Sequence, residues 1–432
     1  MKQFFNPYRL SRRHALQQLA GYAGAWAAPM AFAQPQGRSG NTSGRLVLVM
    51  LRGAYDGLSA LVPYADPDYY NRRPHIAIAT PDGTAQTALK LDDRFALHPA
   101  MAALRPLWQQ GVMAFVPAAG SPEPTRSHFD AQYYFESGIP GKSTSTAGWM
   151  NRLAGLTDDL PAASAQRIAA VGVGEANPAI LAGKAPVQLV PRGQAATRSG
   201  ALAHDRARQA MLNLYAGDDA LSRNFRAGAQ SRMQTAETLR SDMAATPDMS
   251  AAEMQAANNG AGPARGLVLD ARHLATLMRA DPGLRLGFLS AGGWDTHANQ
   301  GHVSGQLANN LAGLADALAQ LRRDFSRPDD VIVVASEFGR TCAENGSRGT
   351  DHGHGNAMWL IGSRVQGGRW HGGWDGLASG NLHEGRDLPV RNDYRAVLAQ
   401  VLRATHAMAP AALDELFPGF AWDGSLDGMF QA

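Results

Sequence analysis

The chain has 432 residues, 47 of them Gly, is 45% hydrophobic and 18% charged, and carries a formal net charge of +3. That balance excludes a disordered chain, and with no dense Lys/Arg run it argues against a nucleic-acid partner. Cys342 is the only cysteine, so no intrachain disulfide can form.

The amino terminus has the order of an export signal. Ser11-Arg12-Arg13-His14 is followed by a modestly apolar stretch from Leu19 to Met30 and then by Ala31-Phe32-Ala33. The paired arginines mark the twin-arginine type, and the small residues predict cleavage after Ala33. The apolar stretch is too short for a stable membrane anchor. The expected partners are therefore the twin-arginine translocase and signal peptidase, and the expected location is periplasmic or secreted. Residues 34–44 read as a linker, and roughly 400 residues remain, enough for one large α/β domain or two ordinary ones; a single domain over 45–432 is expected.

The Val/Leu-rich run Arg45–Leu51 reads as a strand buried on both faces of a parallel sheet. Further strands are expected at Val112–Pro117, Arg167–Val173, Leu284–Ser290, Val331–Ala335 and Ala357–Ile361. Helices are expected at His98–Gln110, Ser127–Gly138, Gly266–Ala280, Leu307–Phe325 and Tyr394–Thr405. The alternation predicts a doubly wound, mostly parallel sheet with helices on both faces. Residues about 217–262, rich in Ala, Met, Gln and Asn, read as a helical insertion with a loop around Thr246–Ala261.

In such a sheet, ligands bind outside the carboxyl ends of the strands. Unusual polar residues collect in those loops: Asp56; Arg126-Ser127-His128; Asp295, His297 and His302; Glu337 and Arg340; and Asp351-His352-Gly353-His354. All but one of the 13 histidines lie beyond the signal, and five of them are in these loops. Imidazole with carboxylate suits Zn, Mn or Fe rather than Ca. A hydroxyl at a helix N-terminus beside a metal, as at Ser127, suits a nucleophile. Each feature also has a plainer reading. Asp56 and Ser127 suit helix caps, Asp295 and His297 a hydrogen-bonded turn, and Glu337 and Arg340 a buried ion pair. The remaining histidines are read as surface or satisfied residues.

In combination, Leu-Arg-Gly-Ala-Tyr-Asp-Gly-Leu (51–58), Ser-His-Phe-Asp-Ala-Gln (127–132), Gly-Gly-Trp-Asp-Thr-His (292–297), Ser-Glu-Phe-Gly-Arg-Thr (336–341), Gly-Thr-Asp-His-Gly-His-Gly (349–355) and Asn-Asp-Tyr-Arg (392–395) resemble a bacterial family. It is the twin-arginine-exported family known as domain of unknown function 1501, grouped with the alkaline phosphatase and sulfatase superfamily. The resemblance implies that superfamily's doubly wound sheet, with two metals beside a Ser or Thr nucleophile. Asp56 resembles the Asp after its first strand, Ser127 its nucleophile and Asp295 its next metal Asp. Four residues after Asp295, where a metal His is expected, stands Asn299, so His297 or His302 would serve. By letters, Asp351-His352 resembles the adjacent Asp-His pair. By strand placement, Glu337 takes the Asp position and Phe338 replaces the His, while the Asp351–His354 loop supplies the last metal His. The second register is preferred and leaves one metal site short of a histidine.

The resulting expectation is an exported hydrolase or transferase acting on a small phosphate or sulfate ester or related anion. A divalent metal would lie near Asp295, His297, His352 and His354, with Asp56 and Glu337 as further ligands and His128, His302 and Asp351 as other candidates. Ser127 would attack, and Arg340 or Arg126 would hold the anion. The competing expectation is a catalytically degenerate member that serves as a periplasmic binding or envelope-assembly protein.

Overall fold

A computed structural model describes residues 44–156, 168–198, 200–243 and 264–431. The expected export signal, nearly all of the expected linker and the loop expected around Thr246–Ala261 lie outside the described residues.

β1 (Leu46–Leu51) is buried along its whole length, as its unbroken apolar run demands. Alternate side chains enter opposite cores: Val47, Val49 and Leu51 join one apolar cluster and Leu46, Leu48 and Met50 the other. A small antiparallel sheet follows, formed by β2 (Leu61–Val62), β3 (Leu89–Lys90) and β4 (Ala96–Leu97). The main sheet is completed by β5 (Met113–Gly120), β6 (Ala170–Gly174), β7 (Val187–Pro191), β8 (Leu286–Ala291), β9 (Val331–Ala335), β10 (Asn356–Gly362), β11 (Arg369–Trp370) and β12 (Asn392–Asp393). Its strand order is β11-β5-β10-β9-β1-β8-β6-β7, with β12 paired to β5.

Helices cover both faces. α1 (His128–Ser137), α2 (Trp149–Leu156) and α5 (Tyr394–His406) give residues to the core containing Leu48, whereas α3 (Leu267–Ala280) and α4 (Gln306–Asp324) give theirs to the core containing Val49. The expected doubly wound, mostly parallel architecture is what the chain forms. β10 runs antiparallel to both β5 and β9, so its amino end lies at the same edge as the carboxyl ends of its neighbours. The half-exposed strand β7 was not expected. The inserted region is helical over Ala220–Met243, preceded by a helix at Asp205–Leu214. Among the described residues no helix is long and apolar enough to cross a membrane.

Candidate metal centre

Five segments meet at the carboxyl edge of the sheet: the ends of β1, β8 and β9, the turn from β5 into α1, and the loop before β10. Gly53 (φ +109) makes the first junction possible, since a Cβ there would lie 2.9 Å from the Asp295 backbone nitrogen. Past β9, Gly339 and Thr341 pair with His354 and Asp351 through backbone hydrogen bonds, which sets His352 beside the strand end.

Three imidazoles and one carboxylate converge there. Nε2 of His352 is 3.0 Å from Nε2 of His128, 3.0 Å from Nε2 of His297 and 3.2 Å from Oδ1 of Asp295. Nε2 of His297 is 2.9 Å from Asp295 Oδ1, and Nε2 of His128 is 3.5 Å from Asp295 Oδ2. Donor atoms of His128, Asp295 and His352 all lie within 4.8 Å of one another, and His297 joins them through His352 and Asp295.

The far side of each ring is anchored by an acceptor. Nδ1 of His128 donates to Glu337 Oε1 (2.8 Å), Nδ1 of His297 to Asp351 Oδ1 (3.1 Å) and Nδ1 of His352 to the Arg126 carbonyl (2.9 Å). Carboxylates and carbonyls cannot donate, so each Nδ1 carries a proton, and each Nε2 faces inward, offering a lone pair whenever its ring is neutral. Lone pairs about 3 Å apart repel unless a cation or a proton lies between them. A divalent ion held at about 2.0–2.1 Å by four ligands separates its donors by about 3.3 Å, close to the spacing observed. The outer acceptors are the partners expected of metal-ligating histidines. The donor set fits a borderline metal ion.

The electrostatics agree. Burial alone would raise the carboxyl of Asp295, but hydrogen bonds from His128, His352 and Arg340 hold it well below the usual carboxylate range. Glu337, fully buried, is likewise held low against its burial, with His128 as the chief donor. Asp351 is lowered first by the Asn345 amide, 2.9 Å away, and then by His297. Burial opposes charge on His128, yet Asp295 and Glu337 push its imidazole up to about 9. The cluster attracts positive charge.

Several expected ligands are placed elsewhere. Asp56 is not brought to the cluster: Arg73, itself buried, donates to both of its oxygens at 2.7 and 3.0 Å, and Ser59 and Gln300 add two more bonds. It precedes the short helix Gly57–Ala60 without a side-chain capping bond. Glu337 lies behind His128 rather than among the inward-facing donors, accepting also from Gly53 N and Gln132 Nε2. His354 packs against His383 with ring centroids 4.8 Å apart, and burial, with His383, pushes it down to about 4. His302 is exposed; its Nδ1 accepts from Val303 N and its carbonyl from His98. Asp351 acts through His297.

Ser127 is the N-cap of α1, its Oγ accepting from Asp130 N at 3.3 Å. Arg340 is buried and pairs with Asp295 (2.6 Å) rather than with Glu337, with Thr350 holding the rest of its guanidinium. Arg126 binds Glu384 (2.5 Å) and Asp387 (3.0 Å). Phe338 stacks on the His128 ring with centroids 4.8 Å apart. Sequence reading missed Arg73, Asn345 and Gln132. Only Gln132 leaves a signal, the four-residue spacing of His128, Gln132 and Glu136 along one helix face.

Residues 43–416 match the family described as protein of unknown function (DUF1501), and the chain belongs to it. No curated protein matches it. Among solved structures it is similar to alkaline phosphatase from the Antarctic bacterium TAB5, at 11% identity and a TM-score of 0.35 over 84% of this chain and 99% of that one. It is also similar to the C-terminal periplasmic domain of EcEptC from Escherichia coli in complex with Zn, at 10% identity and 0.33 over 74% and 72%. A third likeness is to the PH0037 protein from Pyrococcus horikoshii, at 9% identity and 0.37 over 85% and 98%.

Proposed function

We propose that this DUF1501 protein is an exported, metal-dependent hydrolase or transferase acting on phosphate or sulfate esters or related anions. The observation that carries the reading is the inward convergence of three Nε2 atoms on Asp295 while each Nδ1 is tied to an acceptor. His128, His297, His352 and Asp295 would hold a Zn, Mn or Fe ion. When bound, the ion supplies Lewis acidity toward an ester oxygen. Glu337, Asp351 and the Arg126 carbonyl keep the rings in the binding tautomer. Ser127, one residue before His128, is the candidate nucleophile: its hydroxyl caps α1 by accepting, which leaves its own proton to give up. Arg340 is buried against Asp295, so Arg126, half-exposed though paired with Glu384 and Asp387, is the better candidate for holding the anion. Arg12-Arg13 direct export to the periplasm.

Metal analysis of the purified protein, followed by assays on generic phosphomonoesters, phosphodiesters and sulfate esters, tests the reading. About one ion per chain is expected, with turnover lost in both His352→Ala and Ser127→Ala. No ion after reconstitution sinks the metal centre. Replacing Arg12-Arg13 by Lys-Lys should strand the protein in the cytoplasm, and unimpaired export of that variant sinks the export claim.

One observation favours a second reading, a binding protein without turnover: Ser127, Arg126 and Arg340 are each engaged in intramolecular contacts. A metal-loaded protein that binds phosphate but turns over none of these esters would establish it.

A further inference from the structure

The cluster does not end at Glu337. Glu337 Oε1 accepts from Nε2 of Gln132 (3.1 Å), and Oε1 of Gln132 accepts from Nη1 of Arg52 (2.9 Å). Arg52 also binds Glu136 (2.7 Å) and Glu175 (2.5 and 2.9 Å), and Ile180 N donates to the second oxygen of Glu136 at 2.8 Å. The chain His128–Glu337–Gln132–Arg52 is buried beyond its first member, with Arg52 at 0%, Gln132 at 6% and Glu337 at 1% exposure.

We infer that Gln132 is a positioning residue for the metal centre, converting the fixed guanidinium of Arg52 into a fixed donor for Glu337 and so holding the His128 ring in its binding orientation. The inference rests on the reading that the cluster holds a divalent ion. Its direction is forced by chemistry. Arg52 can only donate and ionised Glu337 can only accept, so the amide must present oxygen to one and nitrogen to the other. Arg52 is gripped by two carboxyl groups through three of its N–H positions, and its planar fork leaves the amide one place to sit. His128, Gln132 and Glu136 are four residues apart, which lines them along one face of α1 toward the strand ends. Two buried carboxyl groups (Glu136 and Glu175) face this one guanidinium, and a third, Glu337, lies one amide further on, beside His128.

The test compares zinc affinity, by chelator competition at about pH 8 on the full chain, for the wild type, Gln132→Leu and Gln132→Glu, with Asp330→Asn as a buried-charge control remote from the cluster. Outer-shell partners of metal ligands are worth about 10–100-fold in affinity, and both Gln132 variants should lose about 10-fold. Gln132→Glu is the decisive variant, because it keeps an acceptor for Arg52 but presents a carboxylate to Glu337. Wild-type affinity in Gln132→Glu means that Gln132 merely ties down Arg52 and overturns the inference. So does an affinity loss in Asp330→Asn equal to that in Gln132→Leu, which marks general loosening. Should Gln132→Leu fail to fold, Gln132→Met and the visible spectrum of the cobalt-substituted protein give the same readout, with a changed ligand field expected and an unchanged one overturning the inference. A wild-type chain that binds no zinc removes the metal reading itself, whereas stoichiometric zinc with unaffected variants removes only the role of Gln132.

Discussion

The two ends of β1 each bury an arginine beside carboxylates, and they use it differently. At the amino end, Arg45 and Asp330 form a closed pair. The Arg45 backbone N–H and Nε reach Asp330 Oδ1 at 3.2 and 3.0 Å, Nη2 reaches Oδ2 at 2.5 Å, and the guanidinium lies 4.5 Å above the Phe325 ring. Charge and hydrogen bonds balance locally, so the pair only holds β1 against β9. At the carboxyl end, Arg52 is outnumbered by carboxyl groups and opens, through Gln132 and Glu337, onto imidazoles whose Nε2 atoms face one another. A buried charge that is fully paired is structure, and an imbalance aimed at converging donors marks a candidate site.

The largest effect that would break this comparison is on metal binding. His352 Nε2 touches His128, His297 and Asp295, so His352→Ala should weaken zinc binding by more than the ~10–100-fold typical of an outer-shell partner. Asp330→Ala should leave zinc affinity unchanged. Chelator competition on both variants decides it, and comparable losses would erase the distinction between the two ends.

Stability should show the reverse order. Removing Asp330 leaves Arg45 buried without its partner, which costs about 3–5 kcal/mol. His352→Ala leaves Asp295 paired with Arg340 and strands no buried charge, so it should cost far less. Urea unfolding of the metal-free variants measures both, and a His352→Ala loss as large as that of Asp330→Ala would mean that the cluster is structural.

The pH dependence sharpens the same point. In the metal-free protein His128 is pushed from 6.5 up to about 9. A raised folded-state value means that protonation stabilises the fold fully below about 6.5 and that this contribution is lost as pH rises through about 9. Zinc must displace that proton, so its affinity should climb with pH and level off above about 9. Unfolding and chelator titrations between pH 6 and 10 check both slopes, and a flat zinc affinity over that range would remove His128 from the ligands.

How much of this is legible in the sequence depends on whether the decisive interaction is local. The buried strand at Val331–Ala335, the α1 helix with its Ser127 cap and Gly138 stop, and the gathering of His and Asp residues at strand ends follow from short-range patterns. The direction of β10 does not, because a buried apolar run reads the same in either sense. β7 alternates weakly and is only partly buried, so it leaves little periodicity to see. The choice among carboxylates is the least legible. Asp56 looks like a ligand until Arg73, 17 residues on, takes both of its oxygens. Glu337 looks like a ligand or the partner of Arg340 until the approach of Gly53 and α1 turns it toward His128. His297 and His354 are equivalent by letter, and only packing separates one beside Asp295 from one against His383.

The smallest expected effect bears on Ser127, where capping and chemistry overlap. Loss of an N-cap hydroxyl costs about 1 kcal/mol, and the 3.3 Å bond to Asp130 N gives no reason to expect more. Ser127→Ala should therefore shift the urea midpoint slightly and leave zinc affinity intact, because His128 is held from behind by Glu337 rather than by the cap. Ser127→Asp restores a capping oxygen without a nucleophilic hydroxyl, so it should recover the lost stability and nothing else. If Ser127→Asp regains ester turnover together with stability, the hydroxyl is only a cap. If stability returns and turnover does not, the residue before His128 belongs to the carboxyl-end chemistry, and the contrast between the two ends of β1 extends from charge balance to reactivity.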